Sequence, residues 1–137
     1  MPGQRNMRLF TVGEVVLHSG ATSFWRIDCE RFRNADWTDI AAICVAELDL
    51  RPFGRTAGVM RGGYPLAMAM ERYTTRASDR TVICDDVLTT GGSMEEERVK
   101  HDPSKCAGLV VFARGPLPPW VKALWILAST QRPAPKT

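Results

Sequence analysis

Residues 81–93 read TVICDDVLTTGGS. Val82, Ile83 and Cys84 form an apolar, β-branched-rich run too short for a helix, so they read as a buried strand of a parallel sheet. Asp85 and Asp86 stand where that strand is expected to end. Val87 and Leu88 lead into a small turn rich in hydroxyls and glycine: Thr89, Thr90, Gly91, Gly92 and Ser93. A charged helix follows from Met94 to Lys100, with Glu95, Glu96 and Glu97 in its first turn. This order makes an anion cradle. Glycines let backbone N–H groups approach a phosphate, the helix N-terminus adds partial positive charge, and the Thr and Ser hydroxyls supply further donors. Carboxylates beside a phosphate repel it unless they face something else, and sugar hydroxyls or a Mg²⁺ ion are natural partners. A sugar phosphate satisfies both halves. A P-loop is excluded, because no Gly-Lys-Ser/Thr follows four variable residues after a glycine.

Upstream, Thr56 to Met60 reads as another short strand. It delivers Arg61-Gly62-Gly63-Tyr64-Pro65 and then a helix from Leu66 to about Tyr73. This is a second strand-to-helix anion turn, with Arg61 able to grip a diphosphate bidentately. Both turns are expected to open at the C-terminal edge of one parallel sheet, where ligands of open α/β sheets bind. Ala107 to Ala113 is a further strand, ending at Arg114-Gly115-Pro116, and the apolar segment Trp120 to Leu127 reads as the last one.

The 81–93 stretch resembles the phosphoribosyl-pyrophosphate (PRPP) motif of type I phosphoribosyltransferases. GVMRGGYPLA, residues 58–67, resembles the pyrophosphate loop of the same family, and the two are in register. LHSGATSFWRID, residues 17–28, resembles the N-terminal hood stretch of orotate phosphoribosyltransferases, departing from it at His18 where that pattern has lysine. The resemblance runs from about Val16 to Arg114. It implies an α/β fold, with an open parallel sheet, helices on both faces and a small N-terminal hood. It also implies roles. Residues Thr89 to Ser93 hold the 5-phosphate, and Val87 and Leu88 also count among the substrate-binding residues. Asp85 and Asp86 hold the ribose diol, directly or through Mg²⁺-bound water. Arg61 holds the diphosphate with backbone at Gly62 and Gly63. Ser19, Arg26 and Arg114 face the base.

The chain has 137 residues, 45% hydrophobic and 24% charged, which suits one soluble globular domain spanning all of it. The expected hood covers about residues 10–30 with the C-terminal segment, and the core about 36–113. Phe10 to Leu17 and Phe24 to Asp28 read as a hairpin around a turn. Asn34 or Asp36 caps a helix from Trp37 to Leu48, whose apolar face carries Trp37, Ile40, Ala41, Ile43, Cys44, Ala46 and Leu48. The net charge of +3 suits an anionic small ligand. It does not point to nucleic acid, since no basic–aromatic stripe accompanies it. Four scattered cysteines without CxxC spacing read as reduced. No run of 18 apolar residues and no signal-peptide pattern is found, so a cytoplasmic protein is expected.

Only seven residues, Thr74 to Arg80, separate the Leu66 helix from the Thr81 strand. They span at most about 25 Å. The family places a further strand and a mobile catalytic loop here, so the role of that lid is expected to fall to Arg72, Arg76 or Arg80, or to a second subunit, an enzyme being expected as a homodimer with one of these arginines near the partner's ligand. Two functions follow. One is an enzyme that moves ribose 5-phosphate from PRPP to a nitrogenous base such as orotate or another pyrimidine. The other is a non-catalytic protein that binds PRPP or a nucleoside monophosphate.

Overall fold

The computed structural model describes residues 9–17 and 20–127. In chain order these form β1 (Phe10–Val16), β2 (Thr22–Ile27), α1 (Asn34–Glu47), β3 (Arg55–Gly58), α2 (Tyr64–Met70), β4 (Thr81–Leu88), α3 (Gly92–Arg98), β5 (Cys106–Ala113) and β6 (Val121–Ile126). Strands β3, β4, β5 and β6 lie side by side in that order, all parallel. The last strand, expected within Trp120 to Leu127, is β6, and it carries the sheet through Ile126.

Side chains alternate across a strand, and here both faces are covered. Val82, Cys84, Leu109 and Val111 pack with Trp37, Ile40, Ala41 and Cys44 of α1 and with Leu66, Ala67 and Met70 of α2. Ile83 and Val110 point the other way, to Met94 of α3 and Val121. That is why the apolar runs of β4 and β5 are continuous. Helix α1 starts earlier than expected because the Asp36 carboxylate accepts the backbone N–H of Arg33 at 2.8 Å and closes its first turn. Ile43 and Ala46, expected on its apolar face, are exposed.

β1 and β2 form the expected antiparallel hairpin, with Phe10 opposite Ile27 and Val16 opposite Thr22. The hairpin joins the main core through Ile27 and Cys29, with Leu9, Trp25 and Phe32 packed against it. A second attachment comes from Arg114, the residue after β5. Its Nη1 donates to Ser23 Oγ at 2.9 Å and its Nη2 to the Trp25 carbonyl at 2.7 Å. The guanidinium also lies 3.7 Å from the centre of the Trp25 ring. Arg114 is only 3% exposed.

The Thr74–Arg80 connection sits at the other end of the sheet. The N–H groups of Gly54 and Arg55 donate to the Arg80 carbonyl at 2.9 and 3.2 Å, and Thr75 N–H donates to the Phe53 carbonyl at 2.9 Å. These contacts lie where β3 and β4 begin, whereas Asp85 and Asp86 lie towards the end of β4. Helix α2 has already carried the chain back to the start of the sheet. The expectation that Arg72, Arg76 or Arg80 covers the acidic pair of its own chain is thereby corrected.

Truncating Arg114 removes at least two hydrogen bonds from a charged donor and leaves the buried Ser23 hydroxyl with the long contact from Trp25 N–H at 3.4 Å. Arg114→Ala should cost about 2–3 kcal/mol in urea unfolding. Arg114→Lys should recover little of it, because an ammonium cannot reproduce the fork or the stacking. A loss below about 0.5 kcal/mol would show that the hairpin does not depend on this clamp.

Candidate functional site

Strand β4 does not end at Cys84, as expected. It continues through the acidic pair to Leu88, following β5 with Asp85 opposite Val110, Val87 opposite Phe112 and Leu88 opposite Ala113. The ladder to an apolar, fully buried neighbour overrides the poor strand preference of aspartate. Each acid also binds the next backbone group. Asp85 Oδ1 accepts Asp86 N–H at 2.8 Å, and Asp86 Oδ1 accepts Val87 N–H at 2.7 Å. Asp85 is buried and Asp86 half-buried. Burial, reinforced by the hydrogen bond and charge of Asp86, pushes the Asp85 carboxyl up to about 8, so Asp85 is a neutral acid at pH 7.

After β3 the chain turns through Val59 to Gly63 and enters α2. Val59 N–H donates to the Cys84 carbonyl at 2.9 Å, tying the turn to β4. The approach is close enough to need glycine. A Cβ on Gly62 would stand 2.7 Å from Asp86 Cγ, and one on Gly63 would stand 2.7 Å from Val59 N and overlap the Cys84 carbonyl oxygen. The Met60–Arg61 peptide is cis. Gly63 N–H donates to the Val59 carbonyl at 2.8 Å. It is therefore not free for a diphosphate, contrary to expectation. The N–H groups of Arg61 and Gly62 have no acceptor among the described residues.

Two adjoining cavities open around the Gly62–Asp86 contact. The smaller, about 340 Å³, is lined by Arg26, Arg61, Gly62, Asp85, Asp86, Val87, Thr89, Ser93 and Arg114. The larger, about 750 Å³, shares Arg26, Arg61, Gly62 and Asp86 and is walled by Asp28, Cys29, Glu30, Phe32, Trp37 and Pro65. Most of the residues singled out in the sequence thus meet in one place. Gly91, at φ 87°, turns the chain from Thr90 into α3, and Gly92 N–H bonds the Thr90 hydroxyl at 3.4 Å. The N–H groups of Thr90, Gly91 and Ser93 find no acceptor among the described residues.

Leu88 does not join this site. Its side chain is buried in the core below α3, and its carbonyl accepts the N–H of Arg114 at 3.0 Å. Arg114 lines the smaller cavity, but its two terminal nitrogens are engaged by the hairpin. Ser19 lies outside the described residues. Cys29, Asp28 and Trp37 were not singled out in the sequence. They come from a short turn and a helix whose apolar pattern signals only core. Cys29 is no nucleophile: burial first, then the Asp86, Asp85 and Asp28 charges, push its thiol far above its usual range.

No protein-family model and no curated protein matches the sequence. Solved structures do match. The chain superposes on orotate phosphoribosyltransferase from Aeropyrum pernix with a TM-score of 0.69 at 22% identity, covering 87% of this chain and 88% of that one. UMP synthase from Leishmania donovani gives a TM-score of 0.70 at 22% identity, over 88% of this chain and 34% of that one. Orotate phosphoribosyltransferase from Francisella tularensis gives 0.57 at 18% identity, over 77% of this chain and 66% of that one. The fold is that of the type I phosphoribosyltransferases.

The raised Asp85 value has a consequence for stability. A carboxyl that holds its proton more tightly when folded contributes stability that is present below its unfolded value, 3.8, and lost as pH rises towards about 8. Unfolding free energy should therefore fall between pH 4 and pH 8. Asp85→Asn keeps an oxygen for the Asp86 N–H, and it should flatten this part of the curve. A variant with the same slope as the parent would place the titration elsewhere.

Proposed function

We propose that the protein transfers ribose 5-phosphate from PRPP to a nitrogenous base, a pyrimidine such as orotate among them, with release of diphosphate. The observation that carries this reading is the meeting of two glycine turns on one acidic pair: the Arg61 turn lies against Asp86, and the Thr89–Ser93 turn follows from the same strand. The first supplies a guanidinium and two backbone donors. The second supplies hydroxyls and further N–H groups for a terminal phosphate. Between them, Asp85 as a neutral acid and Asp86 as an acceptor suit a vicinal diol. Such transfer passes through an oxocarbenium-like state, so the protein's task is to hold both ends of the substrate and to stabilise the charge on the leaving group.

A Mg²⁺ ion fits this set of residues. Mg²⁺ needs only one or two carboxylates when substrate oxygens and waters complete its shell, and Asp86 reaches both cavities. Asp86, with Asp85 once deprotonated, is the pair to hold it. Bound there, it would neutralise diphosphate charge. A homodimer is part of the proposal. Phe10, Val12, Val16, Phe24, Trp125 and Ile126 are exposed apolar side chains that a second copy could cover.

The competing reading is a protein that binds PRPP or a nucleotide without turnover. Its support is the far-end placement of Thr74–Arg80, which leaves the site with the hairpin as its cover among the described residues. Incubating PRPP with a panel of pyrimidine and purine bases separates the two. Diphosphate release that depends on one base supports the enzyme, and tight PRPP binding without release for any base supports the binder. In either case Gly91→Val should weaken ribose 5-phosphate binding at least tenfold, because a β-branched residue is strained at φ 87°. A folded variant that binds as tightly as the parent overturns the phosphate assignment.

A further inference from the structure

We propose that Arg26, on the hairpin, is the second half of a clamp for the leaving diphosphate, with Arg61 as the first. The inference rests on the phosphoribosyl-transfer reading and gives Arg26 a different partner from the base it was expected to face. Arg26 and Arg61 both line both cavities, one from the hairpin and one from the β3–α2 turn. Gly62 and Asp86 line the same two cavities.

Arg26 is held ready rather than engaged. Its Nε donates to Asp28 Oδ1 at 3.1 Å. Asp28 is itself fixed, its Oδ2 accepting the Thr11 hydroxyl at 3.2 Å and its N–H donating to the Leu9 carbonyl at 2.6 Å. The two terminal nitrogens of Arg26 have no partner among the described residues, and the side chain is 48% exposed. A guanidinium steadied at Nε with both Nη groups open is suited to bidentate binding of a phosphate.

The charges around it select the ligand. A diphosphate beside Asp86, with Asp28 and Glu30 in the larger cavity, meets strong repulsion unless cations offset it. Arg26, Arg61 and Arg114 are the arginines on these walls among the described residues, and no lysine lines them. Arg114 is buried against Ser23 and Trp25. An uncharged base gains little from an arginine and orotate brings a single carboxylate, whereas a departing diphosphate concentrates several negative charges and draws on more than one cation.

The test is calorimetric titration of the parent, Arg26→Gln, Arg26→Lys and Asp28→Asn with PRPP, inorganic diphosphate and ribose 5-phosphate. Arg26→Gln should weaken PRPP and diphosphate at least tenfold, while ribose 5-phosphate stays within twofold. Asp28→Asn should weaken PRPP a few-fold by freeing the guanidinium. Should Arg26→Gln not fold, the comparison is read on Arg26→Lys, which keeps the charge but loses the fork, and a several-fold loss confined to the diphosphate-bearing ligands is expected. Unchanged PRPP affinity in a parent-like fold, or equal losses for PRPP and ribose 5-phosphate, overturns the clamp alone. A parent that does not bind PRPP overturns the phosphoribosyl reading and the clamp with it.

Discussion

The backbone of Gly62 lies against the carboxylate of Asp86, and the rest of the site depends on that contact. It brings the turn after β3 onto the end of β4, so that a cationic loop and an acidic pair share one cleft. Gly63 allows the same approach one residue later by seating against the Cys84 carbonyl. Overpacking a tight contact costs about 1–3 kcal/mol. At Gly62 the displaced partner is the acid itself, so a side chain there would move functional charge as well as backbone. The parallel sheet makes this possible: β3 and β4 start in register, and β3 ends opposite Cys84, so its turn meets the acidic pair as β4 runs on to Leu88.

The acidic pair would be a liability without this surrounding. Two carboxyl groups on adjacent residues of a buried strand cannot both be charged cheaply, and the structure resolves the conflict by keeping Asp85 protonated. A protonated acid donates a hydrogen bond where a carboxylate can only accept one. Asp85 gives that donor to Asp86, and the remaining carboxyl oxygens of the pair are the acceptors for a diol. A cation arriving in the cleft would favour release of the Asp85 proton, since a nearby positive charge lowers a carboxyl pKa. Site occupancy and protonation are therefore linked.

Much of this was legible in the sequence, and the failures share a cause. The four-strand sheet follows from short apolar runs alternating with helical segments, and the two glycine turns follow from glycine placement after strands. Both are local signals. The extension of β4 through Asp85 to Leu88 was not local, because it depends on the ladder to β5. The engagement of Gly63 N–H by Val59 depends on how tightly one turn closes, which spacing does not encode. Arg114 lies 91 residues from Ser23 along the chain, and nothing near either residue announces the pair. The expectation that Arg72, Arg76 or Arg80 covers the acidic pair of its own chain fails for a topological reason. A strand–helix–strand unit returns the chain to the start of the sheet, so a connection that enters β4 belongs to the end away from the ligand edge.

That topology also limits how the cleft can close. A cover that swings must be weakly held, because mobile elements are those with few buried contacts. The β1–β2 hairpin is held at two points: Ile27 and Cys29 are in the main core, and Arg114 is buried between Ser23 and Trp25. A hairpin so fixed acts as a wall rather than a lid. For the proposed transfer, the closure that excludes water would then come, among the described residues, from the substrate itself drawn between Arg26 and Arg61, or from a second copy of the chain. The two routes depend differently on concentration. A substrate-made closure is complete in a monomer, whereas a closure made by a neighbour weakens as the protein is diluted below the dissociation constant of the dimer. Specific activity that holds constant on dilution would assign closure to the chain's own residues, and activity that falls with dilution would assign it to the interface.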